Sequence, residues 1–168
     1  MIWETTTSEV QLPYEEIYLV GQISPTFSET YKWREEVKKY FSDYPNFRII
    51  DPCGNAFNQK LRLSDNNIGY IKKDGINVLV PKDRNFVKRS SIAIANMNQY
   101  DPNKPLIGTF FELAWYYDSP EKTVIGFADD MTNYLCQHPF VKSSITTWVK
   151  DHLRACDLIL NYFIDDWK

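Results

Sequence analysis

The residue whose type and setting most invite chemistry is Glu112, within Gly108-Thr109-Phe110-Phe111-Glu112-Leu113-Ala114. Thr109-x-x-Glu112 has the spacing of a capping box, in which each side chain satisfies an orphan amide of a helix's first turn. Phe110, Leu113, Ala114 and Tyr117 then fall on one face, as a buried stripe would. The same local bonds would also fix the rotamer of a carboxylate nucleophile at the mouth of a sheet. Two further acids stand at punctuated positions. Asp83 follows Pro81-Lys82 and could cap a short helical segment ending near Arg89; Asp101 precedes Pro102, a pair that starts turns unaided. His138 precedes Pro139, and its sole companion, His152, falls on a helical core stripe, so no metal set is expected.

These residues need elements to hold them. Glu16–Val20 (EIYLV) is a short β-branched apolar run, closed by Gly21, and reads as a buried first strand in which Tyr18 can be a core aromatic. Ser28 precedes a helical stripe of Trp33, Val37, Tyr40 and Phe41 that stops near Tyr44-Pro45. Phe47–Ile50 is the second strand, residues 53–75 a long polar excursion, and Ile76–Val80 (INVLV) a strand candidate. Further strands are expected at Ser91–Met97 and Thr123–Phe127, with a helix over 109–118 between them. Residues 131–142 look irregular. A final helical stripe runs from Ile145 through Trp148, Val149, His152 and Cys156 to Phe163. Strands alternating with helices predict an α/β fold: a mainly parallel sheet flanked by helices on both faces, a flavodoxin- or Rossmann-like three-layer sandwich. Residues 1–14 read as an N-terminal arm and 15–168 as one domain. Ligands of such sheets bind beyond the carboxyl ends of the strands, which is where Gln22 lies. Phe27 and Trp33 could stack on a ligand ring, although Trp33 also falls on its helix's core face.

Ile17-Tyr18-Leu19-Val20-Gly21, then Pro81-x-Asp83, then Gly108-Thr109-x-x-Glu112-Leu113-Ala114 and Thr123-Val124-Ile125-Gly126 together resemble the nucleoside 2-deoxyribosyltransferase family over about residues 16–127. The resemblance implies cleavage of the N-glycosidic bond of a 2′-deoxynucleoside and transfer of the sugar to another base. Glu112 would attack C1′ to give a covalent deoxyribosyl-enzyme, and two inversions would restore the anomeric configuration. Asp83 would protonate the leaving base, and Tyr18 would position the nucleophile. Asp101, Gln22, Gly21, Gly108, Thr109 and Asn133 would contact substrate. The family also implies a homo-oligomer whose neighbouring subunit completes the sugar site, with Asn133 the nearest match. The C-terminal helix, bearing Trp148, Tyr162, Phe163 and Trp167, is the expected contact unless it packs on its own sheet. No cofactor is implied.

Composition narrows the alternatives. The 168 residues carry 19 Lys and Arg against 22 Asp and Glu, a net charge of −3 that offers no basic footprint for nucleic acid. No apolar run approaches the length of a membrane span, and the start lacks a secretory signal's basic and apolar regions. Three cysteines without C-x-x-C spacing suit a reduced, cytoplasmic protein. A hydrolase of nucleosides or nucleotides is the first rival. Gly21-Gln22-Ile23-Ser24-Pro25-Thr26 carries no basic residue for a 5′-phosphate, although Ser24 and Thr26 beside a helix start could hold one. A non-catalytic nucleotide-binding protein is the second rival, opposed by the presence of Glu112 and Asp83. Flavin-type binding lacks a G-x-G-x-x-G loop.

Overall fold

The computed structural model describes residues 14–54 and 73–163. Among these run β1 (Glu15–Gly21), α1 (Glu29–Tyr40), β2 (Phe47–Ile50), a 3-10 turn (Pro52–Gly54), α2 (Lys73–Arg89) and β3 (Ile92–Asn96). They are followed by α3 (Ile107–Tyr117), β4 (Thr123–Phe127), α4 (Tyr134–Gln137), α5 (Pro139–Ser144), β5 (Thr147–Val149) and α6 (His152–Phe163). The five strands form one sheet in the order β2-β1-β3-β4-β5, and every pairing is parallel. The expected α/β architecture is therefore present. Order reverses between β1 and β3, so the crevice beyond their carboxyl ends is the topological switch point.

Strand alternation sorts the core into two layers. Ile17 and Leu19 face α1 and α6, where they meet Trp33, Val37, Ala155, Cys156 and Ile159. Tyr18 and Val20 face the opposite layer, where α2 and α3 contribute Val87, Leu113 and Tyr116. All four β1 side chains are completely buried. Burial on both faces explains why this strand reads as an unbroken apolar run rather than an alternating one. The strand's period also puts Tyr18 on the α3 side, the side that carries Glu112.

Three segments depart from the sequence reading. Ile76–Val80 is part of helix α2, with Pro81 inside it, and not a strand. Val78 and Val80 are exposed, so the apolar run is not a core strand; Leu79, Asp83, Phe86 and Val87 instead share one helical face. Asp83 is consequently mid-helix and caps nothing. Residues 131–142 contain α4 and the start of α5, with Pro139 opening the latter. Residues 147–149 form the fifth strand, and the final helix starts only at His152. A three-residue strand is too short to impose period 2 on the sequence, so its Trp148 and Val149 merge with the helical stripe that follows. The N-terminal arm up to residue 13, and most of the excursion over 53–75, lie outside the described residues. Among the described residues no helix is long and apolar enough to cross a membrane.

Candidate active site

A cleft of about 430 Å³ opens at the switch point. Its walls are Gly21 at the end of β1 with Gln22 and Ile23 beyond it, Pro52 after β2, Leu79 and Asp83 from α2, the rim Asn103–Leu106, and Ile107–Thr109 with Glu112 from α3. Glu112 lies one turn inside α3 and is 9% exposed. Its Oε1 accepts a hydrogen bond from the Tyr18 hydroxyl at 2.7 Å. The capping box does not form: the N-cap position is Leu106, Thr109 is already the third helical residue, and no side chain caps the helix. Glu112 instead lies on the inward side of the helix, where the Tyr18 phenol takes the place of the backbone amide as its partner.

Burial raises the Glu112 carboxyl to about 8, and the negative charge of Asp83 adds to the rise; the Tyr18 hydrogen bond and the Arg34 charge oppose it. Burial also raises the Asp83 carboxyl, against the pull of Lys82. Asp83 Oδ1 is buried without a hydrogen-bond partner, and Lys82 Nζ stands 3.7 Å from it. Tyr18 is held firmly neutral by burial and by the Glu112 charge. The cleft thus contains two carboxyls, each more easily protonated than a surface acid, one of them held from behind by a buried neutral phenol.

A stability consequence follows from the sign of the Glu112 shift. Its folded value lies above the ordinary 4.5, so between pH 4.5 and about 8 the native state holds a proton that the unfolded chain releases. Native stability therefore falls as pH rises through that window. Glu112→Gln keeps the shape and removes this cost. We expect its melting temperature to exceed the wild type's by several degrees at pH 8 and to match it below pH 4.5, as scanning calorimetry would measure.

The other sequence candidates divide clearly. Gly21 ends β1 with φ +154°, and a Cβ there would come within 3.1 Å of the Asn96 carbonyl oxygen and 3.3 Å of Trp33. Glycine is what lets β1 end hard against β3. Gly108 and Thr109 line the cleft as the first turn of α3. Gln22 lines it too, but its amide is already engaged: Nε2 donates to the carbonyls of Asp101 (3.0 Å) and Lys104 (2.6 Å), and Oε1 accepts from the Asp101 amide (2.8 Å). Asp101 does not face the cleft. It is buried, with Oδ2 accepting from Ser24 Oγ at 2.8 Å and Oδ1 from the Asn103 amide at 3.0 Å. Asn133 is separate from Glu112 altogether; it caps α4 through Cys136 N and lines a different depression beside Asp129 and Tyr100. Trp33 is core, edge-on to Phe127, so it is no stacking platform for a ligand.

Two residues at this end of the sheet carry no local sequence signal of their placement. Arg34 on α1 is fully buried, and its Nη2 donates to the Gly21 carbonyl at 2.9 Å while its Nη1 donates to the carbonyls of Gln22 (3.2 Å) and Thr30. Lys104 puts a cation on the cleft rim, with Nζ 3.4 Å from Ser24 Oγ. A lone Arg or Lys in a polar stretch reads as solvated surface; only the Ser24-containing loop hinted that anything charged was needed nearby.

A parallel α/β sheet with a phenol-held carboxyl and a second acid at its switch point defines a class of site suited to nucleophilic and acid–base chemistry on a small molecule. No protein-family model and no curated protein matches the sequence. Solved structures do match the fold. A 2-deoxyribosyltransferase from Bacillus psychrosaccharolyticus is similar with TM-score 0.57 and 16% identity, over 83% of this chain and 89% of that one. A conserved protein from Enterococcus faecalis V583 gives TM-score 0.58 at 13% identity, covering 88% and 98%. A CMP N-glycosidase from Clostridium botulinum gives 0.50 at 14% identity, covering 86% and 99%. The chain shares its fold with these proteins.

Proposed function

We propose that this protein cleaves the N-glycosidic bond of a 2′-deoxynucleoside and passes the deoxyribosyl group to a second nucleobase. The observation that carries this reading is the 2.7 Å bond from Tyr18 to a buried Glu112 that opens into the switch-point cleft beside Asp83. One Glu112 oxygen attacks C1′ as the C1′–N bond breaks, and the electron pair of that bond leaves on the base. Asp83 gives its proton to the departing nitrogen. The acceptor base then attacks C1′ from the opposite side to Glu112, releases its own proton to Asp83, and frees the carboxylate. A 2′-deoxy sugar eases the step, because no electron-withdrawing hydroxyl flanks the developing oxocarbenium ion.

The two carboxyls can share one proton. Charge on Glu112 with the proton on Asp83 is the productive arrangement, and the reverse carries the same net charge, so both have the same pH dependence. Tyr18 favours the productive one by donating to Glu112. The test is incubation of a 2′-deoxynucleoside with a different free base, followed by chromatography. A new deoxynucleoside supports transfer.

A second reading, hydrolysis of a nucleotide, is favoured by Lys104 on the rim next to Ser24, which supplies the cation that the β1 loop lacks. Release of free base from a deoxynucleoside monophosphate, without exchange, would select it. We also propose a homo-oligomer in which a neighbouring subunit brings Asn133 or its neighbours to the sugar. One face of α6, with Ala155, Cys156 and Ile159, is spent on this chain's own sheet, while Tyr162 on the same helix is exposed. Tyr117, Tyr134 and Phe140, exposed around one apolar groove, are the better candidates. A light-scattering mass above that of one chain is the expected result.

A further inference from the structure

We propose that Arg34 is the positioning residue of the cleft: it ties the carboxyl ends of β1 and β2 together and sets a buried positive charge behind the cleft. The role rests on the glycosyl-transfer reading, but its geometry stands apart from it. Arg34 has no exposed surface, yet a buried guanidinium is costly unless its fork is filled. Here the fork spans three pieces of chain. It donates to the carbonyls of Gly21 and Gln22 where β1 ends and of Thr30 in α1, while its Nε, which makes no hydrogen bond, stands in an ion pair 3.4 Å from the Asp51 carboxylate just after β2. Asp51 is held in turn by Lys38 Nζ at 2.6 Å and accepts from the Cys53 amide at 2.8 Å. The Arg34 plane also lies 4.6 Å from the Trp33 ring centroid.

From Gln22 the contacts continue to the opposite rim, since its side chain clamps the backbone of Asp101 and Lys104. Arg34 thus fixes two successive backbone carbonyls, those of Gly21 and Gln22, and through Gln22 the loop that forms the far wall. No hydrogen-bonding ring of this kind would be required merely to pack α1, whose apolar face already contains Trp33 and Val37. Electrostatically, the groups that act on Glu112 or feel its charge are Tyr18 on β1, which donates to it, Asp83 on α2, Tyr116 on its own helix and Arg34 on α1. Arg34 is the one cation of that set, and it opposes the rise that burial and Asp83 impose.

The test compares the wild-type full chain with Arg34→Lys and Arg34→Gln. In carbon NMR of carboxyl-labelled glutamate, the Glu112 titration should shift to higher pH in Arg34→Gln and stay close to wild type in Arg34→Lys. A purely structural role gives the opposite sign, because loosening admits water and lowers a buried carboxyl. In base exchange, Arg34→Lys should raise KM severalfold with little change in kcat, since the charge remains and the fork does not. If Arg34→Gln strands Asp51 and fails to fold, Arg34→Gln/Asp51→Asn removes both charges, and the same upward movement is expected. An unchanged or lowered Glu112 titration in the neutral variant overturns the proposal. The titration needs no turnover, so a wild type without base exchange would sink the glycosyl-transfer reading while the NMR still decides the role of Arg34.

Discussion

Glu112→Ala should lose base exchange by about 10⁴-fold or more while remaining folded. The expectation rests on the carboxylate forming a bond rather than lending charge, because no other side chain in the cleft can replace an oxygen nucleophile at that distance from Tyr18. Two observations would separate a nucleophile from a bystander. Intact-mass measurement of wild type with a slow substrate and no acceptor should find one deoxyribosyl group attached, and Glu112→Ala should carry none. Azide added to Glu112→Ala should enter the space of the missing carboxylate and give a deoxyribosyl azide of inverted configuration, made in one displacement. An active Glu112→Ala enzyme, or retained configuration with azide, would remove Glu112 from the reaction.

The second large effect is expected at Asp83. Asp83→Asn keeps the volume and the buried position but holds no transferable proton, and a general acid contributes about 10²- to 10⁴-fold. The loss should depend on the leaving group. Natural bases that depart poorly as anions should suffer all of it, whereas a deoxyribosyl donor whose leaving group needs no proton should react with Asp83→Asn nearly as with wild type. The pH profile should change in step. In wild type the rate falls at high pH as the proton on the carboxyl pair is lost, and in Asp83→Asn that limb should vanish for the activated donor. Equal losses on both donors would mean that Asp83 shapes the cleft and does not transfer a proton.

Much of this was readable in the residues because the informative features are local. Ile17–Val20 is apolar on both faces, so its place in a doubly covered parallel sheet follows from its composition, and alternation then sends Tyr18 to one side. Glu112 stands within a helix start that any capping rule would notice, although the cap itself is absent and the helix begins two residues sooner. Asp83 is legible as a candidate acid but its setting is not: β-branched Ile76, Val78 and Val80 favour extended chain, whereas Leu79, Asp83 and Val87 share the inward face of a helix. What sequence could not reveal depends on distant partners. Arg34 is buried because Asp51 and two strand-end carbonyls converge on it, and Asp101 turns from the cleft because Ser24 captures its carboxylate. Such long-range pairings leave no periodic trace.

Tyr18 sits on β1, hydrogen-bonded between β2 and β3, in the interior of the sheet. Interior strands exchange their amide hydrogens only when the whole domain opens, whereas clefts built on loops usually breathe well before that point. The anchor of the reactive carboxyl therefore shares the fate of the entire fold. In rising urea, catalytic competence should persist until global unfolding and then disappear with it, leaving no folded but inactive species attributable to loss of the Tyr18–Glu112 pair.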